Sequence, residues 1–333
     1  GIGSAMITAT AVAILTDVFP REKRGLAIGI NSMAVYIGLT LGPSIGGYVI
    51  NYVGWRSLFL IKALVSAFSS IVALLNVDLG RGVVSKPDVV RSLMIPFSIA
   101  LIVVGSANIV NLFDLLVFLI GSSMLIGVFL IEKSYPKLLD PRILKRRILS
   151  ANMAALFNYS ATFALIILLS YYLENIRGLE PREAGLILTS QPLTQALLSP
   201  LAGFLVDRYD PSLIASLGMI VITVSIGGLS MISINTPILY VVTVLIVLGI
   251  GFALFVPPNT TAIMNLTPRE AYASSTALLA TMRFLGQALS TSIITSVMSA
   301  GSSLLISIKT SLMIYVILSI IGTIFSILAR QAY

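Results

Sequence analysis

Cysteine and histidine are both absent from this 333-residue sequence, and charged residues make up only 10% of it. Without Cys there is no disulfide framework, no thiolate metal site and no thiol nucleophile. Without His the commonest general base and the commonest metal ligand are missing. No G-x-x-x-x-G-K-S/T stretch occurs either, so a phosphate-cradling loop for ATP is excluded and no cofactor is expected. Active work by this chain must draw on an ion gradient or on another subunit. The scarcity of charge, set against 57% hydrophobic residues and a mean hydropathy of +1.02, leaves too little polar surface for a soluble globule. Lipid must be the solvent, and the expected class is an all-α integral membrane protein.

What is abundant is apolar runs of about 20 residues, each long enough to cross a hydrocarbon core. Eleven are read, at 1–17, 26–50, 57–77, 92–110, 112–131, 149–173, 184–206, 212–233, 237–257, 271–299 and 310–329. The uncharged stretch over 212–268 is too long for one span, so breaks are placed at Asn235-Thr236-Pro237 and near Pro257-Pro258-Asn259. The boundary between the fourth and fifth spans, at 108–111, decides the topology.

The net charge of +8 is distributed as short basic loops and not as one stripe, so it reports topology and no nucleic-acid partner is expected. Alternate loops put Arg21, Lys23, Arg24, Arg81, Lys86, Arg91, Lys133, Lys137, Arg142, Lys145, Arg146, Arg147, Arg208, Arg269 and Arg330 on one side. Only Arg56, Arg177, Arg182 and Lys309 fall on the other, with Lys62 and Arg283 inside spans. The positive-inside rule then makes the rich side cytoplasmic, with Gly1 external and Tyr333 internal. Gly1 opens inside an apolar run, so further helices are expected before it. The two longest basic loops, 78–91 and 132–149, bracket a two-helix unit and divide the chain into blocks 1–78, 79–148 and 149–333.

The sharpest local motif is Gly38-Leu-Thr-Leu-Gly42-Pro43-Ser-Ile-Gly46-Gly47. Glycines at 38, 42 and 46 share one helical face and admit a close neighbour, while Pro43 permits a bend. Gly203-Phe-Leu-Val-Asp207-Arg208 ends a span with a carboxylate beside a guanidinium. Asp207 is expected to accept backbone N–H bonds at the helix start near Ser212, and Arg208 to bind carbonyls or lipid phosphate; a simple turn is the plainer alternative. Arg283 lies about 18 Å of helical rise into its span. A charge at that depth must be paired or wetted, so its partner is a carboxylate elsewhere, an anionic substrate group, or carbonyls and water. Asn158, Tyr159, Phe163, Gln191, Gln195, Phe252, Phe255 and Asn259 stand out in otherwise aliphatic spans as candidates for lining a cavity or for bonding between helices.

Residues 38–47 resemble the antiporter motif in the fifth helix of drug/proton antiporters of the major facilitator superfamily. Asp17-Val-Phe-Pro-Arg-Glu-Lys-Arg24-Gly25 resembles the cytoplasmic loop before that helix, and Trp55-Arg56-Ser-Leu-Phe59 the start of the next. Tyr171-Tyr-Leu-Glu174, residues 203–208 and residues 274–286 with Arg283 follow in the order of the fourteen-helix branch. The resemblance implies helices four to fourteen of that fold: three helices of the N-terminal bundle, an additional central pair, and a complete C-terminal six-helix bundle. It makes residues 203–208 a gating loop, although Asp210-Pro211 replaces the Gly and Arg usual after it. It also implies proton-coupled export of small amphipathic compounds by alternating access in the plasma membrane, by a monomer. Uptake or exchange of a metabolite, and a shortened product without transport, are the alternatives carried forward. A membrane enzyme is disfavoured, because no cluster of intramembrane carboxylates appears.

Overall fold

In hydrocarbon every backbone N–H and C=O must find a partner within the protein, so runs as apolar as these become helices. The computed structural model describes residues 2–76, 88–106, 111–134, 140–301 and 303–330. Gly1, Arg81, Lys86, Lys137, Tyr333 and most of the 108–111 boundary lie outside them, as do the side chains of Pro43 and Lys133. Within the described residues the secondary structure is helical, with no strand.

The helices are α1 (Ile2–Val18), α2 (Arg24–Val53), α3 (Trp55–Asn76), α4 (Val89–Gly105), α5 (Leu112–Ser134), α6 (Arg146–Thr162) and α7 (Leu165–Tyr171). They continue as α8 (Pro181–Leu188), α9 (Ser190–Val206), α10 (Pro211–Ser230), α11 (Ile238–Leu266), α12 (Tyr272–Ser299) and α13 (Leu304–Arg330). Eight described segments are long and apolar enough to span a membrane, and two shorter apolar helices, Ala5–Val18 and Val89–Gly105, accompany them. The α8–α9 pair, interrupted only at Thr189, accounts for the remaining expected span. The fold is thus an all-helical integral membrane fold.

One expected break is corrected. The ninth span does not stop near Pro257-Pro258-Asn259; α11 runs on to Leu266 with both prolines inside it. Proline removes its own N–H but still accepts, and Thr261 donates its hydroxyl to the Pro257 carbonyl at 2.9 Å, as Thr260 does to Val256 at 2.8 Å. Breaks occur instead at Phe163-Ala164, between α6 and α7, and at Thr189. The Ala164 N–H donates to Ser290 Oγ of α12 at 3.0 Å, which supplies a partner at the break. Pro192, in the first turn of α9, has no N–H to continue the ladder from α8.

Helices α6–α13 pack through small residues and hydroxyls. Between α10 and α13, Thr223 bonds Ser319 at 2.6 Å and Thr323 at 3.0 Å, and Ser216 meets Ser326 at 3.2 Å. Such bonds contribute about 0.6 kcal/mol each. Gly218 of α10 lies so close to α11 that a Cβ there would stand 2.6 Å from Leu254 C and Phe255 N. Gly218→Val is therefore expected to destabilise the α10–α11 packing by about 3 kcal/mol or more. Gly227→Val, one helical stretch further on in open space, should leave thermal unfolding in detergent unchanged.

The α4–α5 hairpin crosses equally closely, since a Cβ on Gly121 would lie 2.8 Å from Ile102 N. Buried Glu132 pairs with Arg91 at 3.3 Å at one end of it. At the other end Ser106 donates to Ser292 Oγ at 2.5 Å, and Ser296 to the Ser106 carbonyl at 3.1 Å, docking the hairpin on α12. Helix α1 packs on α12, and α2 on α9 and α11. Helix α3 touches α2 and is otherwise exposed, including Lys62.

Candidate functional site: a cavity above a latched end

Two helix groups, α1–α3 and α6–α13, meet closely where α2 leaves the basic loop after α1. Gly25 and Gly29, one turn apart, cross Gly203 of α9 backbone to backbone: a Cβ on Gly203 would overlap the Gly25 carbonyl oxygen and reach 3.1 Å from Gly29 Cα. This contact brings the end of α9 onto the start of α2. Asp207 Oδ1 accepts from Gly25 N at 2.7 Å and Oδ2 from Leu26 N at 3.0 Å, so its carboxylate caps the positive end of α2. The expected partner near Ser212 is corrected accordingly. Asp210 caps that helix, accepting from Ser212 N at 2.9 Å, because it is the residue immediately before α10.

Three further ties lie beside the cap. Buried Arg24 donates through Nη2 to the Tyr272 hydroxyl at 2.9 Å and through Nε to the Phe19 carbonyl at 3.1 Å. Arg269 clasps Asp17, with Nη2 3.1 Å from Oδ2. Thr276 Oγ1 then donates to the Ala9 carbonyl of α1 at 2.6 Å. Arg208 takes no part in these ties; it is exposed and its guanidinium lies 4.3 Å from the Phe204 ring centroid.

Asp207, just beyond the end of α9, makes the latch respond to acid. Burial pushes its carboxyl up, against the pull of its two backbone donors, with Glu22 adding to the push. A latched state that raises Asp207's affinity for a proton is favoured below the ordinary carboxyl value of 3.8 and loses that advantage as pH rises through the raised one. Between 3.8 and the raised Asp207 value, acidification should tighten the latch. Spin labels at exposed positions 21 and 209 should report a growing short-distance population over that window, and Asp207→Asn should flatten the response.

Beyond the latch, the same helices part around a cavity of about 640 Å³. Its walls come from α1 (Ile7, Thr8, Ala11, Val12), α2 (Asn31, Val35, Tyr36, Leu39), α6–α9, α11 and α12. Of the expected lining residues, Tyr159, Phe163, Gln191, Gln195 and Phe252 face it, together with Arg283. Local structure explains their placement. The break after Thr162 turns Phe163 into the cavity, 46% exposed. The break at Thr189 begins α9 just before Gln191, and the Gly249 backbone of α11 seats against the Gln191 carbonyl oxygen, to which a Cβ would come within 2.6 Å. Gly286 of α12 crosses α6 at Leu156 and Tyr159, leaving Arg283, one turn away, beside the Tyr159 ring at 5.8 Å.

Asn158 and Phe255 are not in the lining. Asn158 is buried with both side-chain polar atoms unpartnered, and Phe255 belongs to the apolar core of α6–α13. Asn259 is likewise buried, donating to the Ala151 carbonyl at 3.2 Å. Asn31 and Tyr36 are lining residues that the sequence pattern did not single out, although a lone amide in an apolar run is the signal that identified Gln191 and Gln195. The Gly38, Gly42, Gly46 and Gly47 face packs against nothing among the described residues, since a Cβ at any of them would meet no atom within 4 Å.

A family model described as Major Facilitator Superfamily matches residues 1–136 and 151–332. The riboflavin transporter RibZ of Clostridioides difficile is 27% identical over 303 residues, covering 86% of this chain and 64% of that protein. YebQ of Escherichia coli, an uncharacterized transporter, is 26% identical over 296 residues, 86% of this chain and 65% of that one. The lincomycin resistance protein LmrB of Listeria monocytogenes is 26% identical over 307 residues, 86% and 63% respectively. The chain spans a little under two thirds of the length of these relatives. With the family model matched over most of its length, this chain belongs to the Major Facilitator Superfamily.

Proposed function

We propose that the chain forms the substrate cavity and one gate of a secondary active transporter that works by alternating access and exports small amphipathic compounds in exchange for protons. The carrying observation is the 640 Å³ cavity lined by both helix groups and sealed at one end by the Gly203 crossing and the Asp207 cap. Rocking one group on the other would undo those ties and expose the same residues to the opposite side. On this reading the basic end is cytoplasmic in the plasma membrane, and α4–α5 is the added pair of the fourteen-helix branch. No Asp or Glu is among the lining residues described, so the proton-binding carboxylate of this reading lies outside that lining.

That same observation favours a second direction, uptake or exchange of a metabolite, and RibZ is named as a riboflavin transporter. Proteoliposomes with an imposed pH gradient distinguish the two. Riboflavin and lincomycin, taken from the relatives' names, make the first panel. Substrate movement against its gradient, abolished by a protonophore and accompanied by counter-moving protons, supports export. Movement with protons, or without them, favours uptake or exchange, and no gradient-driven movement of any panel member counts against transport.

A further inference from the structure

We infer that the cavity is an anion site: it selects an amphipathic organic monoanion, with Arg283 and Gln195 binding the carboxylate-type acceptor and the aromatic wall holding the body. This rests on the cavity being the transport site and adds the charge class of what it carries. Arg283 Nη2 donates to Thr260 Oγ1 at 2.7 Å, yet its Nε is buried with no hydrogen-bond partner. Gln195 Oε1 accepts from Gln191 Nε2 at 3.0 Å, and its buried Nε2 has the Tyr36 hydroxyl beside it as its protein acceptor. Among the described lining residues, Arg283 Nε and Gln195 Nε2 are the buried polar atoms left without a full hydrogen bond, and both are donors. An unmet buried donor is costly, and a guanidinium inside a membrane more so, so the complement that relieves both is an acceptor carrying negative charge.

Exclusion works in the same direction. No Asp or Glu stands among the described lining residues, so a cationic ligand would meet Arg283 with nothing to offset the repulsion. Tyr36, Tyr159, Phe163, Phe252 and Phe284 supply flat apolar surface for a ring system. The volume lies within the range that encloses a drug-sized molecule.

The test uses three fluorescent probes of one body: dansylglycine, dansylglycinamide and dansylethylenediamine, which present an acid, a neutral amide and an amine. Each is titrated into the protein in lipid nanodiscs. The acid should bind about 30-fold tighter than the amide, and the amine weakest. Arg283→Gln should bring acid and amide within about threefold, and Arg283→Lys should keep most of the preference. If Arg283→Gln fails to fold, Gln195→Leu should weaken the acid about fivefold while leaving the amine unchanged. Equal binding of acid and amide to the unaltered protein, or a preference that survives Arg283→Gln, overturns the anion assignment while the transport site stands. Failure of all three probes to bind also overturns the anion assignment, while the transport-site reading is decided separately by the gradient-driven movement in proteoliposomes.

Discussion

Replacing Gly203 by valine should abolish the latched arrangement and, with it, transport. The reason is steric and local: the new Cβ would overlap the Gly25 carbonyl oxygen and crowd Gly29 Cα, and both are backbone atoms on a helix that cannot swing aside as a side chain can. Overpacking of this kind costs about 3 kcal/mol, which is more than a hundredfold in a two-state equilibrium. Because the penalty falls on the closed crossing, the population moves toward the state in which α2 and α9 have separated. These 333 residues contain no cysteine, so one introduced among them is the single thiol of this chain. A single cysteine at position 26, whose backbone N–H meets Asp207 in the latch, should react with an impermeant maleimide from the basic side at least tenfold faster in Gly203→Val than in its parent. Gly42→Val, at a position open within this chain, should leave that rate unchanged.

Arg283→Ala should reduce gradient-driven transport by about 30-fold or more, the loss of about 2 kcal/mol expected when a charged, hydrogen-bonded anchor is removed from a desolvated site. The competing role for Arg283 is a strut between α12 and α11 through Thr260, and a paired variant separates the two. Thr260→Val removes the hydroxyl that accepts from Nη2 but leaves the guanidinium in the cavity. If Arg283 serves the substrate, Thr260→Val should cost far less transport than Arg283→Ala, because the guanidinium released from this charge-assisted bond remains in the cavity to meet the substrate. If it serves as a strut, the two variants should fall together, with matching losses in thermal stability.

How much of this was legible in the sequence varies with the physics behind each feature. Spans were legible because their signal is the chain's own hydropathy, and the eleven runs correspond to the helices and helix pairs of the structure. Helix breaks were less so. Pro257 and Pro258 look like a terminus, yet α11 continues through them with Thr260 and Thr261 bonding carbonyls one turn back. The real break at Ala164 leaves no mark in its own residues; its N–H is met by Ser290, 126 positions away.

The site shows the same division. Arg283, Gln191 and Gln195 were found because a polar group in an apolar span needs a reason. Asn158 met that criterion and is buried outside the cavity, since the pattern gives a residue's depth but not its facing neighbour. Gly25-Leu-Ala-Ile-Gly29 carries the same four-residue glycine spacing as residues 38–47 and makes the tighter contact, but as a single copy it is the weaker pattern in the sequence. Sequence proximity points Asp207 to the helix start near Ser212, whereas the fold offers it the start of α2. Nothing in local sequence distinguishes those two amide ends.

If the proposed alternating access is right, the latch must open in every cycle. Cysteines in place of Asp17 and Arg269, whose side chains clasp in the latched state, provide a reversible clamp with a short thiol crosslinker in proteoliposomes. Crosslinking should stop gradient-driven transport and reduction of the linker should restore it, with each single-cysteine variant unaffected by the reagent. Transport that continues at its full rate with the two positions joined would contradict the account.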